Sequence, residues 1–343
     1  MLYLRQGIKG KSIIHHADLR PYKVLFKRRK AKDAVFRKYF VPDIRGLLAG
    51  TCMKHLFKPF LIILSLILVA TTVASCGLFA DNSSKQSDDE ILTSDAVTLT
   101  FSGTDYTISD AEACTVEDSK IVLNKARIYK ISGELTDGCI VVRVDKTEKV
   151  TLALDGLTAT CTTGPVIIVE SADKVTISTV SGTTNTLSDG SNYLTDSTTE
   201  SLPNACIYSK DDLAFNGNGT LIVNGNCKHG IKCNDDLEVK SGKIVISAAS
   251  NGLRGNDSVT IEGGVIEITQ CADGLKASNE TKEGKGFILI SGGSVTINSS
   301  DDALQAPISV TITGGLVSVS AQGDIVNCAG TVNIADGCLV QLD

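Results

Sequence analysis

A turn glycine followed by an alternating apolar strand recurs through the C-terminal part of this chain. That recurrence constrains the fold more than any other feature. The glycines are Gly242, Gly264, Gly293, Gly315 and Gly337, at spacings of 22, 29, 22 and 22 residues. The longer interval is one period plus the seven-residue polar insertion Asn279-Glu280-Thr281-Lys282-Glu283-Gly284-Lys285. The residues two and four after each glycine are apolar: Ile244/Ile246, Ile266/Ile268, Val295/Ile297 and Val317/Val319. The last copy has Leu339 but Gln341. Short strands of period two, separated by Gly/Asn/Asp turns, do not make a sandwich with so strict a repeat. The spacing predicts an all-β fold, a right-handed parallel β-helix with rungs of about 22 residues, in which β-branched residues stack inward. No segment from residue 95 onward has helical periodicity, so one such domain is expected over 95–343.

Upstream of it the chain changes character. Residues 1–52 hold 13 Lys/Arg against 3 Asp/Glu, whereas from Cys76 onward 18 Lys/Arg stand against 36 Asp/Glu. An acidic body of that kind repels nucleic acid and favours cations, calcium above all. Residues 53–75 read as a secretory signal: Met53-Lys54-His55-Leu56-Phe57-Lys58, an apolar run to Ala70, then Val73-Ala74-Ser75 before Cys76. The segment resembles a bacterial lipoprotein signal, which makes Cys76 the lipidation site and puts the protein on the extracytoplasmic membrane surface. An uncleaved membrane anchor is the alternative. Residues 76–94 then serve as a polar tether. Residues 1–52 are too long for a signal n-region and are expected to be a start-site artefact ahead of Met53, with a cytoplasmic tail as the alternative. At the other end, the chain stops at Asp343 directly after the strand 338–342. An uncovered coil end exposes backbone donors and acceptors, so a fragment or a frayed last rung is expected.

Nine cysteines follow Cys76, an odd number at irregular spacing, which argues against a disulfide framework. Cys227-Lys228-His229-Gly230-Ile231-Lys232-Cys233 offers zinc-type ligands without a fourth partner, so ordinary turn and core roles are expected.

In a parallel coil, one position per rung forms a column with neighbours about 4.8 Å apart. The position nine after the turn glycine reads Asn251, Asp273, Asp302 and Asp324. A second column, Asp212, Asp235 and Asp257, repeats at 23 and 22, attended by Asp211 and Asp236. Stacked carboxylates repel, and a cation bound at 2.3–2.6 Å bridges two oxygens one rung apart. The alternative is that Asn and Asp merely suit the turns. The doubled acids at 211/212, 235/236 and 301/302 exceed what a turn requires, and they favour calcium. A basic column, Lys232, Arg254, Lys276 and then Gln305, is expected to face solvent beside them. Cation and calcium columns side by side suit a polymer with a carboxylate on each sugar.

The segments Asn204 to Leu213, His229 to Leu237, Asn251 to Ile261, Asp273 to Ser278, Ile290 to Gly293 and Ser300 to Ala306 resemble a family of bacterial calcium-dependent carbohydrate-binding proteins. These are secreted, pectate-lyase-like β-helices that bind acidic plant polysaccharide, notably polygalacturonate. The resemblance covers roughly residues 95–343. It implies calcium at the acidic turns (Asp211, Asp212, Asp235, Asp236, Asp257, Asp273, Asp301, Asp302) and a binding rather than cleaving role. The pattern departs at Ala303, where the family carries Gly, and at Gly323-Asp324-Ile325. It therefore carries calcium least well to the last rungs. The alternatives are a polysaccharide lyase, with Arg254 or Lys276 beside Asp273 removing a proton, and an adhesin-like surface protein whose calcium only stiffens the coil.

Overall fold

The computed structural model describes residues 95–193 and 203–342, so the signal, the tether and Cys76 lie outside the described residues. No helix among the described residues is long and apolar enough to cross a membrane. The expected coil is present as a parallel β-helix. Each rung adds one strand to each of three stacks. One stack runs Asp212–Gly217, Asp236–Val239, Ser258–Ile261, Phe287–Ile290, Ser309–Ile312 and Thr331–Ile334. The second runs Thr220–Gly225, Lys243–Ala248, Val265–Cys271, Ser294–Ser299, Leu316–Ala321 and Leu339–Gln341. The third runs His229–Cys233, Leu253–Gly255, Leu275–Ala277, Leu304–Ala306 and Val326–Cys328.

Register is set by the inward residues. Leu221, Ile244, Ile266, Val295, Val317 and Leu339 pair in sequence across the second stack. Leu213, Leu237, Val259, Ile288, Val310 and Val332 do so across the first. All are fully buried except the last member of each column, the last-coil residues Leu339 and Val332. Burying each aliphatic side chain is worth roughly 1.5–3 kcal/mol, and a slip of one residue turns that whole set outward.

The turn glycines are obligatory rather than decorative. Gly264, Gly293 and Gly315 have φ of 84°, 80° and 79°. A Cβ at each would sit 2.6–2.7 Å from the carbonyl oxygen of the glycine one rung before. The glycine column is thus a close backbone stack that only Gly permits.

At its N-terminal end the coil departs from the repeat. Val97–Gly103 pairs antiparallel with Asp105–Ile108, and Cys114–Glu117 with Lys120–Leu123. The buried Tyr129 ties this region together, donating its hydroxyl to the carbonyls of Ala113 (3.0 Å) and Lys125 (2.9 Å).

Candidate functional site

Backbone bonds between rungs fix the columns. Gly230, Gly252, Gly274 and Ala303 donate to the carbonyls of Asn251, Asp273, Asp302 and Asp324, so His229, Asn251, Asp273, Asp302 and Asp324 stand one above another at one turn. Three residues on, Lys232, Arg254, Lys276, Gln305 and Asn327 form the outward column of the third stack. Both columns lie where the sequence spacing puts them.

The two columns are knitted together. Asp273 Oδ2 accepts from Asn251 Nδ2 at 2.7 Å and from Lys276 Nζ at 2.9 Å. Asp302 Oδ2 accepts from Gln305 Nε2 at 3.0 Å and Asn327 Nδ2 at 2.6 Å, while its Oδ1 takes the Asp324 amide at 2.8 Å. His229 accepts the Asn251 amide on Nδ1 at 3.2 Å, and its Nε2 lies 3.5 Å from the Arg254 guanidinium. Arg254, Lys276, Gln305 and Asn327 line a shallow groove of about 430 Å³ with Ser278, Glu280 and Pro307.

Three side chains differ from expectation in exposure. Arg254 and Lys276 are half-buried, and Lys232 is buried at 3% exposure rather than solvent-facing. Lys232 Nζ lies 5.8 Å from the centre of the Tyr208 ring, a cation–π distance. The sequence gives no cue for that pairing beyond Tyr208 occupying the preceding rung of the same column.

Asp273, Asp301 and Asp302 each offer an oxygen, and these oxygens lie within 4.8 Å of one another. Two observations make this more than an acidic turn. Asp273 is 6% exposed, and its Oδ1 is buried with no hydrogen-bond partner. Beside it, Gly323 lets the backbone come close to both carboxylates: a Cβ there would lie 2.8 Å from both Asp301 Oδ1 and Asp302 Oδ1. An all-oxygen donor set around an orphaned carboxylate oxygen fits a hard divalent cation. Ala303 takes the place that Gly230, Gly252 and Gly274 hold on the preceding rungs and is fully buried there.

The other acidic turn is arranged differently, and here the expected column is corrected. Leu213 pairs with Leu237, and Leu237 with Val259. Counting back, Asp212 stacks on Asp236 and Ser258, whereas Asp211, Asp235 and Asp257 share the neighbouring column. The rung from Leu213 to Leu237 is 24 residues long, so a spacing of 23 joins different columns. Lysines already attend these acids. Lys146 Nζ reaches Asp211 Oδ1 at 3.1 Å, Lys282 Nζ reaches Asp257 Oδ2 at 2.8 Å, and Lys285 Nζ reaches Asp236 Oδ2 at 2.6 Å. Burial pushes the Asp235 carboxyl above its usual range, and the nearby Asp257, Asp211 and Asp236 add to the push. Burial raises Asp212 likewise, against the hydrogen bond that its carboxylate accepts from the Asp236 amide. At Asp257 burial acts upward too, but the hydrogen bonds from Lys282 and Asn279 outweigh it and hold the carboxyl below its usual range. Lys282 and Lys285 come from the 279–285 insertion. Its charges are visible in the sequence, but their partners, from 25 to 49 residues away, are not.

The cysteines of the described domain are all free thiols. The zinc-type segment forms no metal cluster among the described residues: Cys233 is buried and His229 bonds Asn251.

Residues 117–338 match the model of the carbohydrate-binding domain-containing proteins. The chain belongs to that family. The chain is 37% identical over 150 residues to a carbohydrate-binding domain-containing protein of Acetivibrio thermocellus, a match covering 44% of this chain. The chain spans about half the length of that relative, 52%. It is also similar to the solved structure of a polysaccharide lyase-like protein from C. thermocellum, a gadolinium derivative. That likeness has a TM-score of 0.70 and 38% identity, and it covers 72% of this chain and all of the other.

Proposed function

We propose that this protein binds an acidic polysaccharide of the polygalacturonate type with the help of calcium, and that it binds rather than cleaves. The observation that carries the reading is the adjacency of two columns on one face. Cationic and amide side chains line the groove, and the carboxylates of Asp273, Asp301 and Asp302 converge directly behind it. Asp273, Asp301 and Asp302 would hold the calcium, which supplies positive charge next to a surface that otherwise repels polyanions. Arg254 and Lys276 face the sugar carboxylates, and Gln305 and Asn327 the hydroxyls. The similar protein from C. thermocellum was solved with gadolinium, a hard cation that also seeks oxygen ligands. Asp235, Asp236 and Asp257 are the weaker seat because lysines stand on two of them, whereas Lys276 occupies only one oxygen of Asp273 and leaves the other without a partner. Lipidation at Cys76 would hold the domain at the outer face of the bacterial membrane.

The test is binding of oligogalacturonide with calcium and with EDTA, run beside ultraviolet absorbance for unsaturated products. Calcium-dependent binding without new absorbance is expected. Rising absorbance would transfer the protein to the lyases, and equal binding to neutral glucan in EDTA would overturn the reading.

A further inference from the structure

The seven residues that interrupt the repeat are fastened to the coil at several points. Asn279 Nδ2 donates to Asp257 Oδ1 at 2.7 Å, while its Oδ1 accepts the amides of Thr281 (3.1 Å) and Lys282 (2.9 Å). Lys282 and Lys285 then clamp the loop onto Asp257 and Asp236 at 2.8 and 2.6 Å. Gly286 closes it, donating to the Asp257 carbonyl at 2.6 Å and accepting from the Ile308 amide at 3.0 Å. Through this loop the strand register passes undisturbed from Val259 to Ile288.

The clamped loop also borders the groove. Glu280 is exposed and belongs to the groove lining together with Arg254, Lys276, Gln305 and Asn327. That lining is asymmetric along the coil axis: two cationic rungs are followed by two amide rungs. A cation compensates a carboxylate's lost hydration, whereas an amide serves a hydroxyl or an ester carbonyl as donor. A carboxylate on the wall repels anionic units within a Debye length, about 8 Å at physiological salt.

We propose that the 279–285 insertion is the specificity element of this groove, a wall fixed by Lys282 and Lys285 that presents Glu280 and so selects acidic polysaccharide whose carboxyl groups are partly esterified. Free carboxylates sit at the Arg254 and Lys276 rungs, and uncharged units sit at the Gln305 and Asn327 rungs. Such a wall selects by repelling a fully charged chain. The inference rests on the acidic-polysaccharide reading above.

Two labelled oligogalacturonides of equal length, one free of esters and one about half methyl-esterified, distinguish the cases by fluorescence polarisation in one calcium buffer. The protein is expected to bind the half-esterified oligomer roughly fivefold more tightly, the factor of one like-charge contact in water. Glu280→Gln, an exposed change that leaves the fold alone, should tighten the fully charged oligomer by about the same factor. Lys282→Met with Lys285→Met, checked for an unchanged circular dichroism spectrum, should bring the two affinities to within about twofold. Tighter binding of the fully charged oligomer by the unaltered protein, with Glu280→Gln changing neither affinity, would overturn the inference and leave the acidic-polysaccharide reading standing. Binding of neither oligomer would overturn both.

Discussion

Single residues decide most at the places where a column changes its chemistry. Gly323 is one. The carboxylate oxygens of Asp301 and Asp302 converge on the space a side chain there would fill, 2.8 Å from its Cβ, and the Asp301 carbonyl carbon is 2.7 Å away. Gly323→Ala should therefore weaken binding of terbium, a luminescent calcium substitute, by about tenfold or more, since ligand positions in such sites tolerate only a few tenths of an ångström. Asp189 is another. It is buried, accepts the Tyr193 hydroxyl at 2.6 Å and the Asn226 amide at 2.5 Å, and burial pushes its carboxyl up to about 6. A carboxyl raised on folding binds its proton more tightly in the native state than in the unfolded chain. Stability is therefore highest below its ordinary range and falls as pH rises toward 6. Asp189→Asn should flatten the slope of denaturation midpoint against pH between about 4 and 6, and raise stability at pH 7 by on the order of 1–2 kcal/mol. A midpoint that keeps its slope in the variant would place the titrating group elsewhere.

At the scale of elements, how much could be read from the sequence depended on phase. The columns through Asn251, Asp273 and Asp302 and through Arg254, Lys276 and Gln305 were legible because each rung there repeats the same turn chemistry, with the glycine fixing the zero point. The column through Asp235 was misread because the preceding rung hides two extra residues in its turns, one between Phe215 and Leu221 and one between Val223 and Ile231. Turn insertions leave no mark on inward periodicity, so only pairing reveals them. The 279–285 insertion was legible as an interruption but not as a clamp, since side-chain partners across rungs are a property of the assembled coil. Its energetic role can be tested directly. Asp257 is 2% exposed and leans on Lys282. Lys282→Met leaves that carboxylate with Asn279 and a more distant Lys285, so melting temperature at pH 7 should fall by roughly 2–6 °C. Because Asp257 is held below its usual range, the contribution is complete above pH of about 4 and is lost as pH falls through the depressed value. The gap between protein and variant should accordingly shrink on acidification, and scanning calorimetry at pH 7 and pH 3 reads both.

At the scale of the whole molecule, the body beyond Cys76 carries 18 basic against 36 acidic residues, and the coil gathers many of the acids at two turns. The two turns answer the resulting repulsion to different degrees. At Asp236 and Asp257 the chain supplies its own ammonium groups, whereas at Asp273 Lys276 takes one carboxylate oxygen and leaves the other orphaned beside Asp301 and Asp302. Cation binding to the folded coil alone stabilises it by RT ln(1 + [L]/Kd), about 2.7 kcal/mol at a hundredfold excess over Kd. For a domain of this size that is a rise of roughly 5–10 °C in melting temperature. Millimolar calcium should produce such a rise over EDTA. Asp273→Asn combined with Asp302→Asn should abolish it, because the amides keep the hydrogen-bonding shape but remove the charge and one ligand oxygen each. Asp235→Asn should leave it in place, since that carboxylate lies on the turn where lysines already balance its neighbours. A rise lost in Asp235→Asn but kept in the Asp273/Asp302 variant would move the cation to the clamped turn. Melting curves that coincide in calcium and EDTA would reduce both acidic columns to turn residues.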